Sequence, residues 1–126
     1  MLFILLLKCI DLNYLLLRTK SNPVLMMEMI SAYLEQTPPL VSAMKQSLKN
    51  KDWSSLNSAV HKILPSFSIM GMSVDFVNMA KKVQEFATSH EEADRIPNLV
   101  LQLENICTQA CEELTEEYYA IKNSNL

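Results

Sequence analysis

A single glycine, Gly71, serves a chain of 126 residues. Tight hairpin turns draw on glycine for their positive φ angles, so a chain this poor in it has little material for β-structure. Five prolines add few further turn sites, and Leu, Met, Ala, Glu and Lys dominate the periodic stretches. These are good helix formers, and the sequence therefore predicts an all-α fold. At 126 residues it is the size of one domain that can bury its own core. Neither an internal repeat nor a low-complexity segment interrupts it.

The remaining punctuation divides the chain into five helices. Asp11 can cap a short helix carrying Leu12, Leu15 and Leu16, ending near Thr19 and Lys20. Asn22-Pro23 is a strong start, an N-cap followed by proline at the first helical position. The helix it opens runs to about Gln36, where Thr37-Pro38-Pro39 predicts a break or kink, with Thr37 able to cap a continuation through Leu40, Met44 and Leu48 to about Asn50. Asp52 caps the next helix, Gly71 stops it in the left-handed conformation, and Ser73 caps a fourth bearing Phe76, Ala80, Val83 and Phe86 or Ala87. Thr88 to Asp94 reads as a polar loop. Asp94 then starts a long last helix with Leu99, Leu103, Cys107, Ala110, Leu114, Tyr118 and Ile121 inward. Four such helices suit an antiparallel four-helix bundle, with the short N-terminal helix as an addition.

The most informative stretch for function is Ala59 to Gly71. Counting from Trp53, the apolar residues Trp53, Leu56, Val60, Ile63, Phe67 and Met70 fall three and four apart, the buried stripe of a bundle helix. His61 is off that stripe. Its neighbours at helical spacing are Ser54, Asn57, Ser58, Leu64, Pro65 and Ser68, most of them small. Such an imidazole is open to another macromolecule, although the helical count alone favours the plain reading of a solvated surface histidine.

The stretch Val60-His61-Lys62-Ile63-Leu64-Pro65-Ser66 to Gly71 resembles the signature of histidine-containing phosphotransfer (HPt) domains. These modules exchange a phosphoryl group with receiver-domain aspartates. In that family the histidine is followed by Lys at the third position, Gly at the fourth and Gly at the tenth; Leu64, Pro65 and Gly71 stand here. The resemblance extends to Leu25 through Leu48, with Tyr33-Leu34-Glu35-Gln36-Thr37-Pro38, and to Asp52-Trp53, so that it covers about residues 10 to 122. It implies that His61 is the phosphoacceptor, with Asn57, Ser58, Lys62, Leu64, Pro65, Ser68 and Gly71 forming the signature and docking surface around it. Receiver domains of response regulators or hybrid sensor kinases are the implied partners, in a cytoplasmic phosphorelay.

The implied chemistry asks little of this chain. The neutral ring attacks an acyl phosphate through Nε2, so no separate base is required. The receiver brings the carboxylates and Mg²⁺, and no cofactor is expected of the HPt partner itself. Leu64 removes the cation that Lys supplies at the third position. Lys62 points about 100° away round the helix and is a poor substitute. Leu64 can instead add apolar contact to a docking surface. Pro65 is compact but deletes the hydrogen bond to the His61 carbonyl and is expected to bend the helix. The alternative is an HPt-like module that has lost phosphotransfer and only binds a receiver.

Other readings are weaker. A net charge of -3 argues against nucleic acid, whose phosphates require a basic face, and no run of Lys and Arg offsets it. Cys9, Cys107 and Cys111 do not suggest a disulfide framework; a reduced, cytoplasmic setting is the simplest account. Cys107 and Cys111 share a helix face with Leu103, Leu114 and Tyr118, which points to packing rather than to a metal pair. His90 falls in the acidic loop Ser89 to Glu92. Glu112, Glu113, Glu116 and Glu117 make a charged face without the Glu-x-x-His spacing of a di-iron bundle, and Met26, Met27, Met29, Met70, Met72 and Met79 read as core fillers rather than a soft-metal site. No metal site is expected.

Residues 1–10 form an apolar lead ahead of a helical unit at 11–126. Met1 to Leu7 is far shorter than the roughly 20 residues of a membrane-spanning helix, so no insertion is expected, and a secretory signal's basic start and cleavage site are missing. The lead can extend the first helix onto the bundle, mediate self-association through an apolar patch, or be the stub of a linker.

Overall fold

The computed structural model describes residues 9–124. The expectations for Met1 to Leu7, self-association among them, lie outside the described residues. In chain order the elements are α1 (Asn13–Thr19), α2 (Pro23–Lys49), α3 (Trp53–Ile69), α4 (Val74–Ser89), a 3₁₀ turn (Ala93–Arg95) and α5 (Ile96–Ser124). No strand occurs among the described residues. Helix α2 packs on α3 and α5, α4 packs on α3 and α5, and α1 rests against α2. Each long helix therefore has two long neighbours, and their apolar stripes close on one core.

The stripes are those of the sequence, with additions. On α3, Leu56, Val60, Ile63 and Phe67 are buried and Trp53 is half-buried, with Met70 buried just past the helix end. Helix α4 buries both Phe86 and Ala87 along with Ala80 and Val83. Helix α5 buries Leu99, Leu103, Cys107, Ala110 and Leu114, and also Ile96 and Val100, while Tyr118 and Ile121 are half-buried.

Capping follows the expected side chains at three starts. Asn22 Oδ1 accepts from the Val24 and Leu25 amides, Asp52 from the Ser55 amide, and the Ser73 hydroxyl from the Asp75 amide. Asp52 also accepts from the Ser55 hydroxyl at 2.8 Å, the first cause of its lowered pKa. At α1 the N-cap is Leu12, and Asp11 acts one position earlier by accepting from the Asn13 amide. Asp94 lies in the 3₁₀ turn rather than at the cap of α5, whose second residue is Pro97. Proline is tolerated there because first-turn N–H groups have no intrahelical acceptor.

The break expected at Thr37-Pro38-Pro39 does not occur: α2 is helical throughout Pro23–Lys49. Thr37 is buried and caps nothing, whereas Pro38 and Pro39 are exposed. Two prolines free the carbonyls of Leu34 and Glu35, and on the outer face water can satisfy them. Packing of Tyr33, Thr37 and Met44 on the opposite face holds the helix together.

With one glycine available, helix ends use other residues at positive φ. Helix α3 ends in a Schellman motif in which the Met72 amide donates to Phe67 O and the Gly71 amide to Ser68 O, with Gly71 at φ 66°. The same pair of bonds ends α1 with Lys20 at φ 53° and α2 with Lys51 at φ 53°. His90, at φ 62°, ends α4, and its ring meets Trp53 edge-on with centroids 6.4 Å apart.

The chain before α1 is tied to the core. Cys9 and Ile10 are buried, and the Glu113 carboxylate accepts from the Cys9 amide at 2.9 Å and from the Ile10 amide at 3.2 Å. The Asp11 amide donates to Met70 O at 2.9 Å, which brings this strand of chain across the end of α3.

Candidate functional site

His61 sits in the second half of α3's first ten residues, on a helix whose 17 residues include no carboxylate. It is exposed, and no hydrogen bond or ion pair engages its ring among the described residues. The ring is kept out of the core by the stripe of Leu56, Val60 and Ile63, which takes the inward-facing positions on either side of it in sequence.

The sequence-derived neighbours separate into two flanks. Asn57 is half-buried, and its Nδ2 donates to Thr88 Oγ1 at 3.3 Å, so this flank faces α4. Leu64 and Ser68 continue it at helical spacing; Leu64 is half-buried against the core and Ser68 is exposed. Lys62 lies on the other flank, beside Leu40, Ala43, Gln46 and Ser47 of α2, with Ser58 in the same cleft. Pro65 is exposed and α3 continues through it to Ile69. Its missing N–H leaves the His61 carbonyl without a helical donor, on a side open to water.

Gly71 is ten residues beyond His61, about 15 Å along a helix axis, and does its work at the chain crossing. A Cβ there would stand 2.0 Å from Asp11 O. It therefore bears on the N-terminal segment rather than on the surface round the imidazole.

Residues opposite His61 were not legible in the sequence. The Asn57–Thr88 bond, the Trp53–His90 ring contact and the short connection through Met70–Ser73 make α3 and α4 antiparallel and set their register. In that register the turn of α4 from Lys81 to Gln84 lies level with the turn of α3 from His61 to Leu64. The α4 stripe that includes Thr88 runs through Gln84, Lys81 and Val77, spaced four, three and four apart. Val77 and Gln84 are half-buried and Lys81 is exposed, as expected of a stripe at the edge of a helix contact.

The cysteines make no metal centre: among the described residues no group of three or more His, Cys, Asp or Glu side chains converges. Burial raises the Cys107 thiol to about 12 and, helped by the charge of Glu113, the Cys9 thiol to about 11. Half-buried Cys111 is also raised, first by burial and then by Glu112. All three are free and electrostatically held as thiols. Nearby, the buried Tyr33 hydroxyl closes no hydrogen bond among the described residues, although Thr37 faces it one turn on. Glu113, read from sequence only as part of a charged face, is half-buried and holds the Cys9 and Ile10 amides and Gln109 Nε2. No helix of the described residues is long and apolar enough to cross a membrane.

Comparison with protein-family models, with curated proteins and with solved structures found no match to this chain.

Proposed function

We propose that the four long helices form an antiparallel four-helix bundle, flanked by α1, that works as a histidine phosphotransfer module. In this reading His61 accepts a phosphoryl group from a receiver-domain aspartate and donates it to another, within a two-component phosphorelay. The observation that carries the reading is the exposed, unpartnered imidazole of His61 on a helix without a carboxylate. A dianionic phosphoryl group on Nε2 meets no repulsion from its own helix, and a partner can approach the ring from solvent.

The step is a balanced exchange. The Nε2 lone pair forms the N–P bond as the aspartyl O–P bond breaks, the receiver carboxylate leaves, and Nδ1 keeps its proton. The chain's contribution is a rigid helix that presents the ring; Mg²⁺ and the catalytic carboxylates are the receiver's.

Incubation with a phosphorylated receiver tests this. Acid-labile, alkali-stable label on the parent and none on His61→Gln is the expected result. Binding without label from several receivers would instead identify the adaptor reading, which the Leu64 and Pro65 departures favour. Absence of both binding and label would remove the receiver-partner reading altogether.

A further inference from the structure

The geometry points to Lys81 of α4 as the cation that serves a phosphoryl group on His61, in the place left empty by Leu64. This rests on the proposed phosphotransfer role of His61. The argument is one of register and face. Asn57 and Thr88 are hydrogen-bonded across the α3–α4 seam, and by helical spacing Asn57 shares its face with His61, Leu64 and Ser68 of α3, and Thr88 its face with Val77, Lys81 and Gln84 of α4. Lys81 and His61 differ by only about one turn or less in height, and packed helices stand about 8 to 10 Å apart. An extended lysine spans much of that gap.

Charge supports the same residue. Lys81 is exposed and engages in no ion pair among the described residues; its closest acid in helical spacing is Glu85, four residues on. Lys62 faces the α2 cleft. Lys82 points about 100° away from Lys81 round α4 and away from the seam. It supplies the matched control, since removing either lysine changes the net charge equally. The side chain acts on the phosphoryl group as a point charge, worth most at low ionic strength.

Ammonium phosphoramidate separates this inference from the question of which receiver the chain serves. It transfers its phosphoryl group to an exposed imidazole as its own N–P bond breaks and ammonia leaves. The full chain, Lys81→Gln, Lys81→Arg and Lys82→Gln are loaded this way at low salt, and the phosphohistidine is followed by ³¹P NMR against pH. In Lys81→Gln the phosphoryl titration midpoint is expected to rise by about half a unit, the size of a cation's effect at a few ångströms through water. Lys81→Arg and Lys82→Gln should match the parent. Equal midpoints for Lys81→Gln and Lys82→Gln would overturn the assignment while leaving phosphotransfer intact. A shifted midpoint with no transfer from any receiver would keep Lys81 and sink the relay reading. Failure of His61 to load at all would overturn both.

Discussion

The missing side chain of Gly71 is where the Asp11 carbonyl lies: a Cβ built on Gly71 would stand 2.0 Å from Asp11 O and 2.9 Å from Asp11 Cβ. The same glycine has φ 66° and receives the chain's crossing next to the Asp11–Met70 backbone bond. Gly71→Ala therefore combines a left-handed alanine with a collision against backbone that has no flexible end to move aside. A loss of about 2 to 4 kcal/mol is expected in urea unfolding, well above the 1 to 2 kcal/mol of the left-handed conformation alone. A loss under 1 kcal/mol would show that the Asp11 crossing yields freely.

Lys51 holds the left-handed position of a Schellman motif that usually belongs to glycine. It is exposed, so its side chain contributes little packing. Lys51→Gly should raise stability by about 0.5 to 1 kcal/mol, as relief of the strained φ exceeds the added freedom of the unfolded chain. A drop in the unfolding midpoint would mean that the lysine makes a compensating contact.

Glu113 is the anchor of the segment before α1, through the amides of Cys9 and Ile10. Glu113→Ala leaves two amides of buried residues without their acceptor, at a cost of about 1 to 3 kcal/mol. The more specific readout is thiol labelling. Cys9 should react faster with an aromatic disulfide in the variant, because both its burial and the nearby negative charge that raise its thiol are reduced. Unchanged Cys9 labelling would indicate that the segment stays docked by Ile10 alone.

Alkali should unfold the chain in a defined window. Cys9 and Cys107 have folded-state values near 11 and 12 against 9.0 for the free group, so above pH 9 the unfolded chain releases protons that the folded one retains. Stability is then full below about pH 9 and declines as pH rises through 11 to 12. Tyr33, raised chiefly by burial, adds to the same trend. Cys107→Ala should flatten the slope of stability against pH between 9 and 12, and an unaltered slope would assign the alkaline loss to other groups.

Tyr33→Phe removes a buried hydroxyl that closes no hydrogen bond among the described residues. The expected change is between zero and a gain of about 1 kcal/mol, since an unpaired buried polar group is a cost rather than a contribution. A loss beyond 1 kcal/mol in thermal or urea unfolding would reveal a partner for the hydroxyl, with Thr37 the first to test by Thr37→Val.

Helix identity, the apolar stripes and three of the N-caps were legible because each depends on residues within a few positions of one another. Asn22, Asp52 and Ser73 need only an amide two or three residues on. The prolines at 38 and 39 misled a local reading: whether they stop a helix depends on which face they occupy, and that face was set by burial of Tyr33, Thr37 and Met44 on the other side. Gly71 was correctly seen as a helix stop, but its contact with Asp11 joins residues 60 apart in the chain and has no local signature.

The sequence by itself determined the all-helical character of this protein and the exposure of His61. A lone glycine and a 3.6-residue apolar rhythm leave no other secondary structure, and a histidine off the stripe stays in solvent. Only the tertiary structure decided what stands beside that histidine. The register of α3 on α4, held by Asn57 on Thr88 and Trp53 on His90, brings Lys81 and Gln84 level with it. No periodicity encodes that pairing, because helical spacing describes one helix at a time, while the level at which two helices meet is a property of their packed surfaces and of the turn that joins them.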